Sequence, residues 1–201
     1  MRCLTSPRRR DDVARVRLFF SVPVSEKARA AAAAVLRAMK RAAGEEAPLS
    51  WTKDDQLHFT IAFLGEQSED ALPRLREAAA ACSELRAFDL ELRGAGAFPN
   101  PRRPRVLWLG VGNGGQQLEQ IAGRLCTGLR AGGFALEERP FRGHLTAARV
   151  RPGGERSASR ALQVVPPGAI ATFKVDRLWL MQSQLSPHGA KHTLVYETFL
   201  S

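Results

Sequence analysis

The sequence predicts an α+β fold, and three observations carry that expectation. Helix-like stretches are interspersed with runs that read as antiparallel hairpins, unlike the regular alternation of a doubly wound sheet. The glycine-rich GVGNGGQ at 110–116 matches the letters of GxGxxG but stands alone in the middle of the chain without the P-loop lysine, and reads as a strand-to-helix turn. A chain of 201 residues with 44% hydrophobic residues is large enough for one substantial core and too apolar for intrinsic disorder.

The elements follow in order. Residues 15–22 (RVRLFFSV) read as a strand ended by Pro23, and Ser25 is placed to cap a helix from Glu26 to about Ala43. Many alanines favour that helix, and Gly44 closes it. A polar connection, EEAPLSWTKDDQ, leads to a strand LHFTIAFLG at 57–65. There Leu57, Phe59, Ile61 and Phe63 alternate with His58, Thr60 and Ala62, which gives the strand two unlike faces. Glu66–Asp70 is expected to open a second helix reaching about Cys82. FDLELRGAGAF (88–98) reads as a strand with a glycine bulge or turn near its end. The rigid basic turn PNPRRPR (99–105) leads into VLWLGV (106–111), and a helix over about Gln116 to Ala131 stops at Gly132-Gly133. FRGHLTAARV (141–150) is the next strand and PGGERSAS a mobile loop. ATFKVDRLWLMQSQL (171–185) and HTLVYETFL (192–200) are the last two strands, joined by SPHGAK.

Thirty basic against twenty acidic residues give a formal net charge of +10. Arginines outnumber lysines 25 to 5. Guanidinium groups suit bidentate contact with phosphate, so a polyanionic partner such as RNA fits, although the base composition of the gene would also produce such a bias. No apolar stretch reaches the roughly 18–20 residues of a membrane span, and no apolar signal segment follows the basic start. A cytoplasmic monomer without a membrane partner is expected, with residues 1–14 a flexible basic extension and 15–201 a single domain. Cys3, Cys82 and Cys126 form neither CxxC nor zinc spacing, and Cys82 and Cys126 read as buried helix thiols.

Of the four histidines, two open the same pattern on predicted strands: His58-Phe59-Thr60 and His144-Leu145-Thr146. Strand period places each histidine and its threonine on one face, with Phe59 and Leu145 turned to the core. With four His and eight Thr in the chain, chance would supply far fewer than one such pair. A duplicated or pseudo-symmetric half is a natural explanation. The chemistry suits a strained phosphodiester, which needs one group to take a proton from water and another to give one to the leaving oxygen. Those oxygens lie on opposite sides of phosphorus, and two facing imidazoles meet that demand near neutral pH. Each hydroxyl can donate to a non-bridging phosphoryl oxygen. The plainer alternative is a pair of half-buried strand histidines beside threonines that favour strands by shape. Two histidines on remote strands without clustered Asp, Glu or Cys do not make a zinc site, so no metal or cofactor is expected.

His58-Phe59-Thr60-Ile61-Ala62-Phe63-Leu64-Gly65 resembles the first signature of the two-histidine phosphoesterases, and Arg142-Gly143-His144-Leu145-Thr146-Ala147-Ala148-Arg149 the second. Within that superfamily the similarity is greatest to the RNA 2′,3′-cyclic phosphodiesterases, first described as 2′-5′ RNA ligases. RVRLFFSVPV, AFPNPRRPRVLWLGV and VDRLWLMQSQLSPHGAKHT add to it, so the resemblance covers about residues 14–200. Gly143 departs from the family pattern, in which proline precedes the second histidine, and makes the approach to His144 less rigid. The resemblance implies a bilobal pseudo-twofold α+β fold, with two small antiparallel sheets flanking a central cleft and helices outside. It implies metal-independent opening of an RNA terminal 2′,3′-cyclic phosphate to a 2′-phosphomonoester. By the same resemblance His58 is the proton donor, His144 the proton acceptor, and Thr60 and Thr146 hold phosphoryl oxygens. The reverse, 2′-5′ ligation, would exchange the donor and acceptor. A small cyclic nucleotide in place of RNA and a noncatalytic RNA-binding protein stay open as alternatives.

Further candidates bind substrate. On a continuous strand Arg149 faces away from His144 and reaches the cleft only if the strand ends or twists there. Arg142 shares the parity of His144. Arg105, with Arg102 and Arg103, forms a basic rim suited to an RNA backbone or simply to solvent. Trp51 and Phe98 are candidates for stacking on a terminal base, or else members of the core. His188 and His192 are expected to be noncatalytic, since Thr193 is adjacent to His192 and faces the other side.

Overall fold

Glycine and proline punctuation, together with alternating burial, divides the chain into four helices and nine strands among the described residues. The computed structural model describes residues 15–186 and 189–201. The strands are β1 (Arg15–Pro23), β2 (Leu49–Trp51), β3 (His58–Ser68), β4 (Phe88–Phe98), β5 (Val106–Val111), β6 (Leu145–Val150), β7 (Ala169–Val175), β8 (Arg177–Ser186) and β9 (Gly189–Phe199). The helices are α1 (Glu26–Ala43), α2 (Leu72–Ala80), α3 (Gly115–Ala131) and α4 (Glu155–Gln163). The basic extension expected at 1–14, with Cys3, and the turn residues Pro187 and His188 lie outside the described residues.

The strands form one curled antiparallel sheet in the order β7-β4-β5-β6-β3-β1-β8-β9, with β2 paired to the far end of β6. Two four-stranded halves meet where β3 pairs β6, at Phe59 opposite Leu145. The two expected lobes are therefore halves of one continuous sheet. Each half contains a hairpin-like pair bridged by a long helix: β1 and β3 around α1, β5 and β6 around α3. Even the packing of large against small repeats, since Trp179 lies opposite Ser21 in one half and Trp108 opposite Gly96 in the other.

One face of the sheet is the core. Leu18, Phe20, Phe59, Leu107, Leu109 and Leu145 are buried there, with Leu36 and Met39 of α1 and Leu118 and Leu125 of α3 in the same cluster. Each such side chain contributes about 1.5–3 kcal/mol on burial. Ser25 caps α1, its hydroxyl accepting from Ala28 N at 3.3 Å, and Gly44 leaves the helix with φ 97°. The glycine-rich segment does form the turn into α3. It is held by the buried Glu91 carboxylate, which accepts from Asn113 N and pairs with Arg93 at 2.9 Å.

Long-range pairing overrides local signals in four places. Glu66 and Ser68 pair with Arg17 and Arg15, so β3 runs on where a helix start was expected, and α2 begins only at Leu72. The expected mobile loop at 152–159 contains the start of α4, whose small face (Ser157, Ala158, Ala161) packs towards α1 while the Arg160 guanidinium donates to Ala43 O at 2.8 Å. The long strand expected over 171–185 breaks at Asp176, where the carboxylate takes Arg177 Nε at 2.8 Å and the carbonyl accepts Leu200 N at 2.9 Å. Its two parts serve different halves of the sheet, β7 beside β4 and β8 beside β1. Part of the polar connection before His58 is the short strand β2. No helix among the described residues is long and apolar enough to cross a membrane.

Candidate active site

Phe59 and Leu145 are both fully buried on the core face, so their neighbours His58, Thr60, His144 and Thr146 belong to the opposite face of the sheet. One backbone pairing thus gathers both motifs.

Beyond each motif a one-residue bulge reverses the parity. On β3 the register with β1 passes from Ser21↔Thr60 to Phe20↔Ala62, skipping Ile61. Ile61 and Ala62 are both buried, and Phe63, opposite Phe19, emerges on the face of His58 with 57% of its surface exposed. On β6 the register with β5 passes from Trp108↔Thr146 to Leu107↔Ala148, skipping Ala147. Ala147 and Ala148 are both fully buried, and the exposed Arg149, opposite Val106, returns to the face of Thr146. Simple alternation had put Phe63 in the core and Arg149 on the far side; the bulges correct both.

The two imidazoles are anchored alike. His58 Nδ1 lies 2.7 Å from Gln56 O, and His144 Nδ1 lies 2.7 Å from Arg142 O. A carbonyl oxygen only accepts, so each Nδ1 carries hydrogen and Nε2 is the nitrogen left to exchange a proton. His58 Nε2 accepts from the Thr60 hydroxyl at 3.1 Å. Each ring also rests on a phenylalanine at a centroid distance of 5.0 Å: His58 on Phe19, tilted by 30°, and His144 on Phe98, edge-on at 87°.

The surroundings differ. Burial pushes His58 down to about 4, against the pull of the Gln56 carbonyl and with the help of a third imidazole, His192. His192 lies edge-on to His58 with centroids 5.5 Å apart and packs on the same Phe19 at 5.0 Å. Burial also lowers His192, opposed by Asp55. A cavity of about 50 Å³ opens beside His58, lined by Ser21, Arg29, Asp55, Trp179, Met181 and His192 among others, but not by His144. A larger cavity of about 430 Å³, between Glu84–Phe88 and α3, holds no histidine. No three His, Cys, Asp or Glu groups come together as a metal site among the described residues.

The remaining candidates separate. Arg142 contributes its backbone carbonyl to His144, and its side chain is exposed. Arg105 is exposed, with its amide on Phe98 O at 2.7 Å and its carbonyl on Val150 N at 2.9 Å, so the rim is tied to both β4 and β6. Phe98 lies against Trp108 (5.3 Å) as well as His144. Trp51 pairs with the buried Ala148 and packs against the core, on the face away from the histidines. A Cβ on Gly143 would come 2.9 Å from Leu118 Cδ2, so the glycine allows the approach to His144 to press against α3. Sequence reasoning did not place Phe63 on the face of His58 or His192 against its ring. The equal spacing of Phe63 and Arg149, five residues past their histidines, was the available signal for the first; nothing local signals the second.

Residues 23–186 match the family model of the 2′-5′ RNA ligase superfamily. The chain is 34% identical over 151 residues to the RNA 2′,3′-cyclic phosphodiesterase of Aeropyrum pernix, covering 75% of this chain and 85% of that protein. It is 30% identical over 187 residues to the protein of the same name from Thermotoga maritima, covering 90% and 94%. Among solved structures, Escherichia coli LigT complexed with 3′-AMP aligns with a TM-score of 0.76 at 28% identity, over 94% of this chain and 99% of that one. TT0787 of Thermus thermophilus aligns with a TM-score of 0.73 at 28% identity, over 92% and 97%. With that model spanning most of its length and these relatives matching both halves of the sheet, the chain belongs to the 2′-5′ RNA ligase superfamily.

Proposed function

We propose that the chain is a phosphoric diester hydrolase that opens the 2′,3′-cyclic phosphate at an RNA end to a 2′-phosphomonoester, with His58 and His144 as the acid–base pair. The observation that carries this reading is the matched anchoring of two imidazoles, each holding Nδ1 on the carbonyl two residues before it and leaving Nε2 for proton transfer. The names of the relatives supply the substrate class.

In the reaction, water oxygen bonds to phosphorus as the bond from phosphorus to the 3′ oxygen breaks. His144 Nε2 takes the proton of the water, and His58 Nε2 gives one to the departing 3′ oxygen. No metal ion enters the scheme. His58 is neutral when the site is empty, because burial disfavours its charged form. The phosphodiester monoanion reverses that preference, so substrate binding itself loads the acid. Thr60 and Thr146 donate hydroxyl hydrogens to the non-bridging oxygens, whose charge grows in the transition state. Arg149 neutralises the phosphate, while Arg105 and the Arg142 side chain meet the RNA backbone at the rim. Phe63, exposed and backed by Phe19 at 6.0 Å, offers a face to the terminal base. Phe98 serves as the seat of His144, and Trp51 is a core residue.

The same residues run backwards would join a cyclic-phosphate end to a 5′ hydroxyl. The discriminating experiment uses purified protein with EDTA and an oligoribonucleotide ending in a 2′,3′-cyclic phosphate, with a cyclic mononucleotide in parallel. A 2′-phosphate end is the expected product. An unchanged terminus, where a control hydrolase opens it, would overturn the reading. Retained turnover in the double variant His58→Ala, His144→Ala would overturn the assignment of the pair.

A further inference from the structure

His192 belongs to neither motif, yet the sheet delivers it to His58. Arg17, Ser183 and His192 are paired across β1, β8 and β9, which sets His192 on the face that carries Phe19. The side-chain amide of Gln56 donates to Ala190 O, which ties β9 to the turn whose carbonyl anchors His58. The two rings stand at 85° to each other, and His192 Nδ1 is buried with no hydrogen-bond partner. The second motif differs here: among the described residues Phe98 is the ring in contact with His144, and no second imidazole packs on it.

We propose that His192 is a positioning residue that makes the two motif histidines inequivalent, holding His58 on Phe19 and keeping it uncharged until an anion enters the cleft. This rests on His58 being half of the acid–base pair. Two imidazolium groups this close in a partly dry site repel, so at most one keeps a proton. The charged neighbours pull in opposite directions. Asp55, from the turn before His58, favours charge on His192, and the guanidinium of Arg29 of α1 lines the same cavity, where a cation works against a second positive charge. Ser21 of β1 and Trp179 and Met181 of β8 face the cavity without charge, and Lys191, next to His192, is exposed to solvent. The lowered proton affinity of His58 has burial as its larger cause and His192 as a further one. The pseudo-symmetric pair is made unequal by this third ring, which packs on His58 while Phe98 is the ring against His144.

The test follows the histidine ε1 resonances by NMR in the full chain, for wild type, His192→Gln and His192→Asn. Both substitutions keep a polar side chain and remove the titrating ring. The expected result is an upward shift of the His58 midpoint in both variants, with His144 unmoved, and a matching upward shift of the acid limb of kcat/KM for a cyclic-phosphate oligoribonucleotide. A His58 midpoint equal to wild type in both variants overturns the proposal, and so does a rise confined to one of them, which would be a packing effect. If one variant fails to fold, the midpoint of the other decides. Adding inorganic phosphate to wild type separates this test from the parent reading: a His58 midpoint that ignores phosphate counts against the acid–base pair, whatever the variants show.

Discussion

Phe63 and Arg149 occupy equivalent stations in the two halves of the sheet. Each lies five residues past a motif histidine, and each returns to the face of the motif because a single extra residue, Ile61 or Ala147, is absorbed into the core. One station is an exposed aromatic ring and the other a guanidinium. A pseudo-symmetric frame thus carries a ring at one station and a cation at the other, the pair that the proposed function assigns to base and phosphate.

Phe63→Ala is expected to raise KM for an RNA cyclic-phosphate end by about 5- to 100-fold, the span of one base–aromatic stack, with a much smaller change in kcat. Its exposure makes the fold indifferent to the change. Steady-state kinetics checks this, and a cyclic-phosphate oligoribonucleotide whose terminal residue is abasic should lose the difference.

Arg149→Ala is expected to lower kcat/KM by about 10- to 100-fold through loss of a charge-assisted phosphate contact. Arg149→Lys recovers part of it, since a point charge replaces a fork. Salt dependence of KM provides the check: its slope should fall in the alanine variant.

His58→Ala and His144→Ala are each expected to reduce kcat by about 10²- to 10⁴-fold while RNA binding persists. Single-turnover rates and a binding titration on the same preparations separate the two effects.

How much of this was legible in the sequence depends on distance along the chain. His58 and Thr60, or His144 and Thr146, share a face because they are two residues apart, and any strand guarantees that. Phe63 and Arg149 were misplaced because alternation counts residues, and a bulge is a miscount that only the partner strand reveals. His192 was unreadable, since its place beside His58 is made by β1 and β8 lying between two strands remote in sequence. The α4 helix was hidden for the same reason: its small residues look like loop until α1 covers them.

Stability should carry the signature of His58. Its proton affinity is lowered to about 4 from an ordinary 6.5, so the unfolded chain binds the proton more tightly between those values. The native state is fully favoured above pH 6.5 and loses stability as pH falls towards 4. The loss attributable to this residue is up to about 3 kcal/mol, and little more follows below that. Urea unfolding of wild type and His58→Gln across this range checks it; the variant should lack that share of the slope.

Gly96→Ala is expected to destabilise the fold by about 1–3 kcal/mol. The new Cβ would lie 2.3 Å from Trp108 Cζ2, and that indole is pressed against Phe98, the seat of His144. Thermal melts should show the loss, and a fall in kcat with nearly normal KM would show that the disturbance reaches the imidazole.

Phe59 and Leu145 meet on a rung of main chain, and both motif histidines precede it by one residue. The spacing of the two histidine backbones is thereby fixed by strand pairing and not by the surrounding helices and loops. A slip of one residue at that rung would bury all four polar groups together, so the placement of the two motifs and the integrity of the sheet are inherited or lost as a unit.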